Sequence, residues 1–194
     1  TPYVKAMARC YNYGNIEFKG SSASDSTILN GITFTASSFI KDCANYGNLT
    51  KSGTSHNTHI YGIYYEAGGA ITNCVNGEKG STTKGVLTCS GQVNGALYFC
   101  GIGNKNANKG MTSVVNYGPI NMTNTCSTKG SMYVGGITKA FPVGATLTEC
   151  VNYGDITLAG IVGDEAIGGN AGSDTFVGGL CDVTSTSESV GTLV

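Results

Sequence analysis

One short phrase recurs along the chain and narrows what it can fold into. "CYNYGNI" begins at Cys10, "CANYGNL" at Cys43, "VVNYGPI" at Val114 and "CVNYGDI" at Cys150. A further copy, "CVNG" at Cys74, lacks the Tyr and one residue of spacing. A second landmark alternates with the first: Gly31-Ile32, Gly62-Ile63, Gly101-Ile102, Gly136-Ile137 and Gly179-Leu180. From each Gly-Ile step to the next Cys position is 12 to 14 residues, whereas from each Cys position to the next step is 19 to 29. Units of this length cannot bury an apolar face alone, so they stack.

Each unit reads as three short strands. One follows the Gly-Ile step ("GITFTAS", "GGITKAF"), one leads into the Cys ("SFIKDC", "TLTEC") and one follows the Asn-Tyr-Gly turn ("NIEFK", "DITLA"). No stretch sustains a 3.6-residue apolar period, so helix should be scarce. The expectation is an all-β fold: a parallel β-solenoid, or β-helix, of about five repeats with three short strands per coil. Residues 1–194 form a single domain on this reading, a segment of a longer array. The near-constant arm is a structural wall, and the variable arm is a loop on one side.

Stacking gives each recurring residue a physical role. Equivalent side chains of successive coils lie roughly 4.8 Å apart. Asn12, Asn45, Asn76, Asn116 and Asn152 should then form a hydrogen-bonded ladder that satisfies turn amides. Gly14, Gly47, Gly77, Gly118 and Gly154 should turn the corner with positive φ. Cys10, Cys43, Cys74 and Cys150 should stack as buried small apolar groups, a position where the fourth copy accepts Val114. Tyr13, Tyr46, Tyr117 and Tyr153 should stack outside the corner.

Composition excludes several functions. Charged residues are 12 % of the chain, the net charge is −1 and Arg9 is the lone guanidinium. Nucleic-acid binding and paired phosphate clamps are therefore not expected. No apolar run reaches the ~20 residues of a membrane-spanning helix, so no membrane insertion is expected. No cofactor motif occurs. Metal binding is not expected either: there is no Cys-x-x-Cys, and His56 and His59 stand apart in sequence from every Cys. Both His read as part of an exposed polar loop. Carboxylates are few and scattered, with Asp164-Glu165 the densest pair; glycoside cleavage needs two on one sugar-binding face, and β-helical lyases need basic residues or Asp clusters, whereas this chain has one Arg and no Asp-x-Asp run. The chain is read as non-enzymatic. Cys89 and Cys100 bracket part of an enlarged arm and are candidates for a local disulfide, while Cys126 and Cys181 have no evident partner. If a specific binding site exists, the insertion from Glu78 to Cys100 is the first candidate.

The pattern Cys-x-Asn-Tyr-Gly-x-Ile, alternating with Gly-Gly-Ile, resembles the GLUG-like Gly-rich repeats of large surface proteins of Bacteroidetes-type bacteria. The resemblance runs from Cys10 to Leu180. It implies a secreted or surface-anchored solenoid, extracellular in location, of the kind described as adhesins, and it implies no catalytic residues. The resulting expectation is a structural and adhesive surface element. Its partners would be a host or glycan surface, and other copies of itself or adjacent repeats stacked on its open ends as in a fibre. The alternative is a β-helix that binds or cleaves carbohydrate along a tyrosine-lined groove.

Overall fold

The computed structural model describes residues 5–106, 109–140, 144–181 and 192–193. It is an all-β solenoid of about four turns built from five parallel sheets. Sheet 1 stacks Met7–Ala8, Ile40–Lys41, Ile71–Thr72, Met111–Thr112, Thr146–Thr148 and Thr192–Leu193. Sheet 2 stacks Tyr11–Asn12, Ala44–Asn45, Val75–Asn76, Val115–Asn116 and Val151–Asn152. Sheet 3 stacks Ile16–Phe18, Leu49–Lys51, Leu87–Val93, Ile120–Thr128 and Ile156–Leu158, with Ile161–Val162 pairing further along the fourth of these. Sheet 4 stacks Thr27–Asn30, Thr58–Tyr61, Leu97–Cys100, Met132–Gly135 and Thr175–Gly178. Sheet 5 stacks Thr33–Ala36, Tyr64–Ala67, Gly103–Asn106 and Thr138–Ala140.

A coil therefore carries five strands, not the three expected. The three expected strands are those of sheets 5, 1 and 3. Sheet 2 lies inside the recurring phrase itself, in two-residue strands too short to show alternation. Sheet 4 lies in the variable arm directly before the Gly-Ile step, so that arm is part wall and only part loop.

The Asn ladder is formed as a continuous chain. Asn12 Nδ2 donates to Asn45 Oδ1 at 2.7 Å, Asn45 to Asn76 at 2.8 Å, Asn76 to Asn116 at 2.8 Å and Asn116 to Asn152 at 2.7 Å. Each of these bonds runs the same way, from one coil to the next. The second amide hydrogen of each rung caps the turn, as when Asn45 Nδ2 donates to Gly47 O at 2.9 Å. Asn45, Asn76 and Asn116 are fully buried. Buried amides need such pairing, because each unpaired group costs about 1–3 kcal/mol.

The corner glycines are needed for a different reason than expected. None of Gly14, Gly47, Gly118 or Gly154 adopts positive φ. Close stacking excludes a side chain at three of them instead: a Cβ on Gly47 would lie 1.9 Å from Gly14 O, one on Gly118 2.1 Å from Gly85 O and one on Gly154 2.2 Å from Gly118 O, whereas Gly14 in the first coil is uncrowded. The left-handed backbone falls one turn earlier, on the residue before each Cys position. Arg9, Asp42, Asn73, Ser113 and Glu149 all have φ of 51–54°. Their side chains can pair between coils: Asn73 Nδ2 donates to Asp42 Oδ1 at 3.1 Å and Ser113 Oγ to Glu149 Oε2 at 2.7 Å.

The two sequence landmarks meet inside the coil. A Cβ on Gly31 would lie 2.4 Å from the Asn45 amide carbon, and Gly62, Gly101 and Gly136 stand in the same way against Asn76, Asn116 and Asn152. The Gly-Ile step thus packs against the Asn ladder and pinches the interior into two lobes. One lobe lies between sheets 3 and 4 around Leu49, Ile60, Leu87, Phe99 and Ile120. The other lies between sheets 5 and 1 around Ile40, Ile63, Tyr64, Ile71 and Ile102, and it includes Cys43, Cys74 and Val114. Each fully buried Ile or Leu contributes roughly 1.5–3 kcal/mol. Cys10 and Cys150 pack against this second lobe, half-buried. Tyr64 fits because the next coil places Gly103 opposite it, where a Cβ would lie 2.3 Å from the ring.

Candidate functional site

The tyrosine ladder has a gap. Tyr13 stacks on Tyr46 at 5.1 Å between ring centroids and Tyr117 on Tyr153 at 5.3 Å. Between the two pairs the register position belongs to Gly77. Its N–H donates to Asn45 O at 2.8 Å, just as Tyr46 N donates to Asn12 O and Tyr117 N to Asn76 O, each at 2.7 Å. Gly77 therefore stands where Tyr stands in the neighbouring coils, and it is not the corner glycine of its coil. Gly85 fills that place: its carbonyl accepts from Asn76 Nδ2 at 2.8 Å and its N–H donates to Tyr46 O at 3.2 Å. The chain leaves the coil at Gly77, with φ of 82°, and rejoins it at Gly85, with φ of 65°. Residues 78–84 form an excursion braced by Ser81 N donating to Glu78 O at 3.0 Å.

Two coil spacings separate Tyr46 from Tyr117, roughly 9–10 Å. With one aromatic ring missing between them, the opening is about one ring thick. The resulting cleft has a volume of about 480 Å³. Val75 and Gly77 line it together with Tyr13, Tyr46 and Tyr117, and the excursion contributes Glu78, Lys79 and Lys84. A smaller cleft of about 190 Å³ lies on the other side of the excursion, among Glu78, Ser81, Tyr117, Pro119, Tyr153 and Asp155. Burial pushes the Tyr46 phenol above its ordinary range, and Tyr13, Glu78 and Tyr11 act in the same direction. The phenol is a neutral hydrogen-bonding group at physiological pH. The site offers two aromatic flanks, two ammonium groups and a carboxylate, an arrangement that can hold a ring-shaped polar ligand.

A second aromatic row runs unbroken along the outside of sheet 4. His59 stacks on Tyr98 at 4.5 Å, Tyr98 on Tyr133 at 5.0 Å and Tyr133 on Phe176 at 5.1 Å. Beside it on sheet 5, Phe34 stacks on Tyr65 at 5.0 Å. The Lys139 ammonium sits 4.2 Å from the Tyr98 ring centroid and 4.5 Å from that of Tyr133. Only His56 of the two histidines matches the expected exposed polar position; His59 is a half-buried rung of this row. Burial and the nearby Lys139 charge lower its pKa to about 4. Asp164 caps a short 3-10 helix at Glu165–Ile167, its Oδ1 accepting from Ala166 N at 3.0 Å.

Cys89 and Cys100 are not joined by a disulfide, so the suggested bridge is not formed. Cys89 lies on sheet 3 and Cys100 at the end of the sheet 4 strand, on different walls. A thiol of the next coil lies close instead: Cys126 Sγ is 3.4 Å from Cys89 Sγ. Beside them lies Lys51, fully buried, its Nζ donating to Gln92 O at 2.8 Å. Sequence reasoning missed this lysine. Period-2 alternation through "NLTK" carries the signal, since an inward Leu49 puts Lys51 inward as well.

Among the described residues no group of three or more His, Cys, Asp or Glu is placed to hold a metal ion, and no helix is long and apolar enough to cross a membrane. In sum, the fold and site define a β-solenoid with an interrupted aromatic corner. Comparison with known proteins gave no match among family models, curated proteins or solved structures.

Proposed function

We propose that the chain is a non-enzymatic, extracellular structural and adhesive repeat element of a cell surface, whose contact site takes one carbohydrate ring between Tyr46 and Tyr117. The gap in the tyrosine ladder at Gly77 carries this reading. A pyranose ring is about as thick as the missing aromatic ring, and its apolar faces stack on tyrosine. Glu78, Lys79 and Lys84 offer hydrogen bonds to its hydroxyls and a counter-charge to an acidic sugar. Binding without turnover is favoured because, among the described residues lining the larger cleft, Glu78 is the one carboxylate, whereas glycoside cleavage takes two. The resemblance to GLUG-like repeats supports the surface location. The one-way Asn ladder supports stacking of further coils, because an added coil accepts the next bond in the same direction.

Saturation-transfer NMR with a panel of neutral and acidic oligosaccharides tests the proposal. At least one glycan should bind, and Tyr46→Ala and Tyr117→Ala should each weaken it tenfold or more. Tyr133→Ala, on the unbroken row, should leave it unchanged. Absence of transfer from every glycan, or binding indifferent to both slot substitutions, rules the slot out.

A further inference from the structure

The sheet 3 lobe holds a buried amine, Lys51, whose pKa is lowered by burial while the neighbouring Cys89 and Cys126 thiols act in the opposite direction. Lys51 is 0 % exposed. Its Nζ meets two backbone carbonyls, Gln92 O at 2.8 Å and Ser90 O at 3.5 Å. Among the described residues the ion pair present is Lys19–Glu17, on the surface. A buried ammonium facing neutral carbonyls alone is costly, and an anion beside it relieves that cost. The groups at hand that can become anionic are two thiols. Cys89 stands directly opposite Lys51 in the strand register. Cys126 stands opposite Gly91, beyond a register shift that separates the Met122 pairing from the Cys126 pairing. The offset brings the two sulfurs together diagonally, 3.4 Å apart, where directly opposed side chains would run parallel.

We propose that Cys89, Cys126 and Lys51 form an oxidisable thiol centre that a peroxide converts into a disulfide joining adjacent coils. The Cys126 thiolate attacks the peroxide: an S–O bond forms, the O–O bond breaks and the leaving oxygen departs as water after protonation. Cys89 sulfur then attacks the Cys126 sulfenic acid. The S–S bond forms, the S–O bond breaks, and a second water leaves with the Cys89 proton. Two thiols lose two electrons, and one peroxide gains them. The Cys89 thiol and the Lys51 charge both hold the Cys126 thiol below its ordinary range, which favours the attacking thiolate. Thr123 is half-buried, and Asn124 and Thr125 are exposed, in the strand segment next to Cys126; local opening there gives a small oxidant its route.

The test treats the full chain with hydrogen peroxide, then unfolds it, alkylates it and maps it by mass spectrometry without reduction. A Cys89–Cys126 linked peptide should form at least tenfold faster than any oxidation product of the other six cysteines. The bridge closes a 37-residue separation, so the melting temperature should rise by roughly 10 °C and return on reduction. Recovery of both cysteines as alkylated thiols while others oxidise, or linkage to other partners, overturns the proposal. Lys51→Met keeps the side-chain length and removes the charge, and it should slow linkage tenfold or more. An unchanged rate in folded protein removes the lysine from the centre. Should that variant not fold, the wild-type peptide map decides the thiol pair by itself.

Discussion

Asn76 is the middle rung of the ladder, and Asn76→Ala should split the solenoid energetically. The substitution removes the bonds from Asn45, to Asn116 and to Gly85 O, each 2.8 Å long. Asn45 keeps its bond to Gly47 O, and Asn116 Oδ1 keeps the one from Gly118 N at 3.2 Å. One amide hydrogen of Asn45 and the Gly85 carbonyl are left unpaired in a buried place. At about 1–3 kcal/mol each, with lost packing against Gly62, the cost should be about 4 kcal/mol. Asn152→Ala removes a half-buried end rung with two bonds, from Asn116 and to Gly154 O, where solvent already reaches the side chain, and should cost about 1 kcal/mol. The difference of about 3 kcal/mol is a factor of more than a hundred in the folding equilibrium. Urea titration followed by far-UV circular dichroism measures both, and the Asn76→Ala transition should also broaden, because stability in a stacked array rests on neighbour interfaces. Asn76→Asp gives a sharper control. Its carboxylate would face Asn116 Oδ1 and Gly85 O, so burial and these two acceptors raise its pKa. Its stability should then be greatest below the unfolded carboxylate value of about 3.9 and be lost as pH rises through the raised folded value. Equal costs for Asn76→Ala and Asn152→Ala, or an Asn76→Asp variant as stable as wild type at pH 7, would refute the ladder argument.

Other consequences follow from single contacts. Tyr64 Oη is buried without a hydrogen-bond partner, so Tyr64→Phe should be neutral or stabilising by about 1 kcal/mol in urea titration, whereas Gly103→Ala should cost several kcal/mol by striking the ring. Gly47→Ala should be severely destabilising although its φ is ordinary, because the new methyl falls on the Gly14 carbonyl; a loss below about 1 kcal/mol in thermal melts would mean the coils can separate there cheaply. His59 stays neutral down to a pKa of about 4 in the fold, while the unfolded chain takes up the proton near 6.5. Stability present above pH 6.5 should therefore be lost as pH falls toward 4, by roughly 2 kcal/mol after solvent screening of a half-buried ring, and His59→Tyr should flatten that limb of the pH–stability curve.

The period and its landmarks made the solenoid legible, because stacking forces equivalent residues into register and Asn, Cys and Tyr each have one obvious use there. The five-strand coil was less legible, since two-residue strands such as Val75–Asn76 carry no pattern of their own. Steric need for glycine also left no trace separate from conformational need. Gly47 and Gly85 turn the same corner, yet one is required by the Gly14 carbonyl of the neighbouring coil and the other by left-handed backbone and the closeness of Gly77. The enlarged third repeat marked Glu78 to Cys100 as one insertion, but only residues 78–84 leave the coil, while Leu87–Val93 and Leu97–Cys100 are wall strands of sheets 3 and 4. That Gly77 holds the tyrosine position, with Gly85 completing the corner, depends on hydrogen bonds between coils. The pairing of Cys89 with Cys126 depends on a register shift that only the stacked strands reveal.

The interrupted ladder can be repaired by design. Replacing residues 77–84 with a single tyrosine restores "CVNYG" and closes the row from Tyr13 to Tyr153. This variant should melt at least as high as the parent and should lose glycan binding below detection in the same saturation-transfer experiment. A folded variant that binds the glycan as tightly as the parent would contradict the account, because the ligand would then have to sit elsewhere on the solenoid.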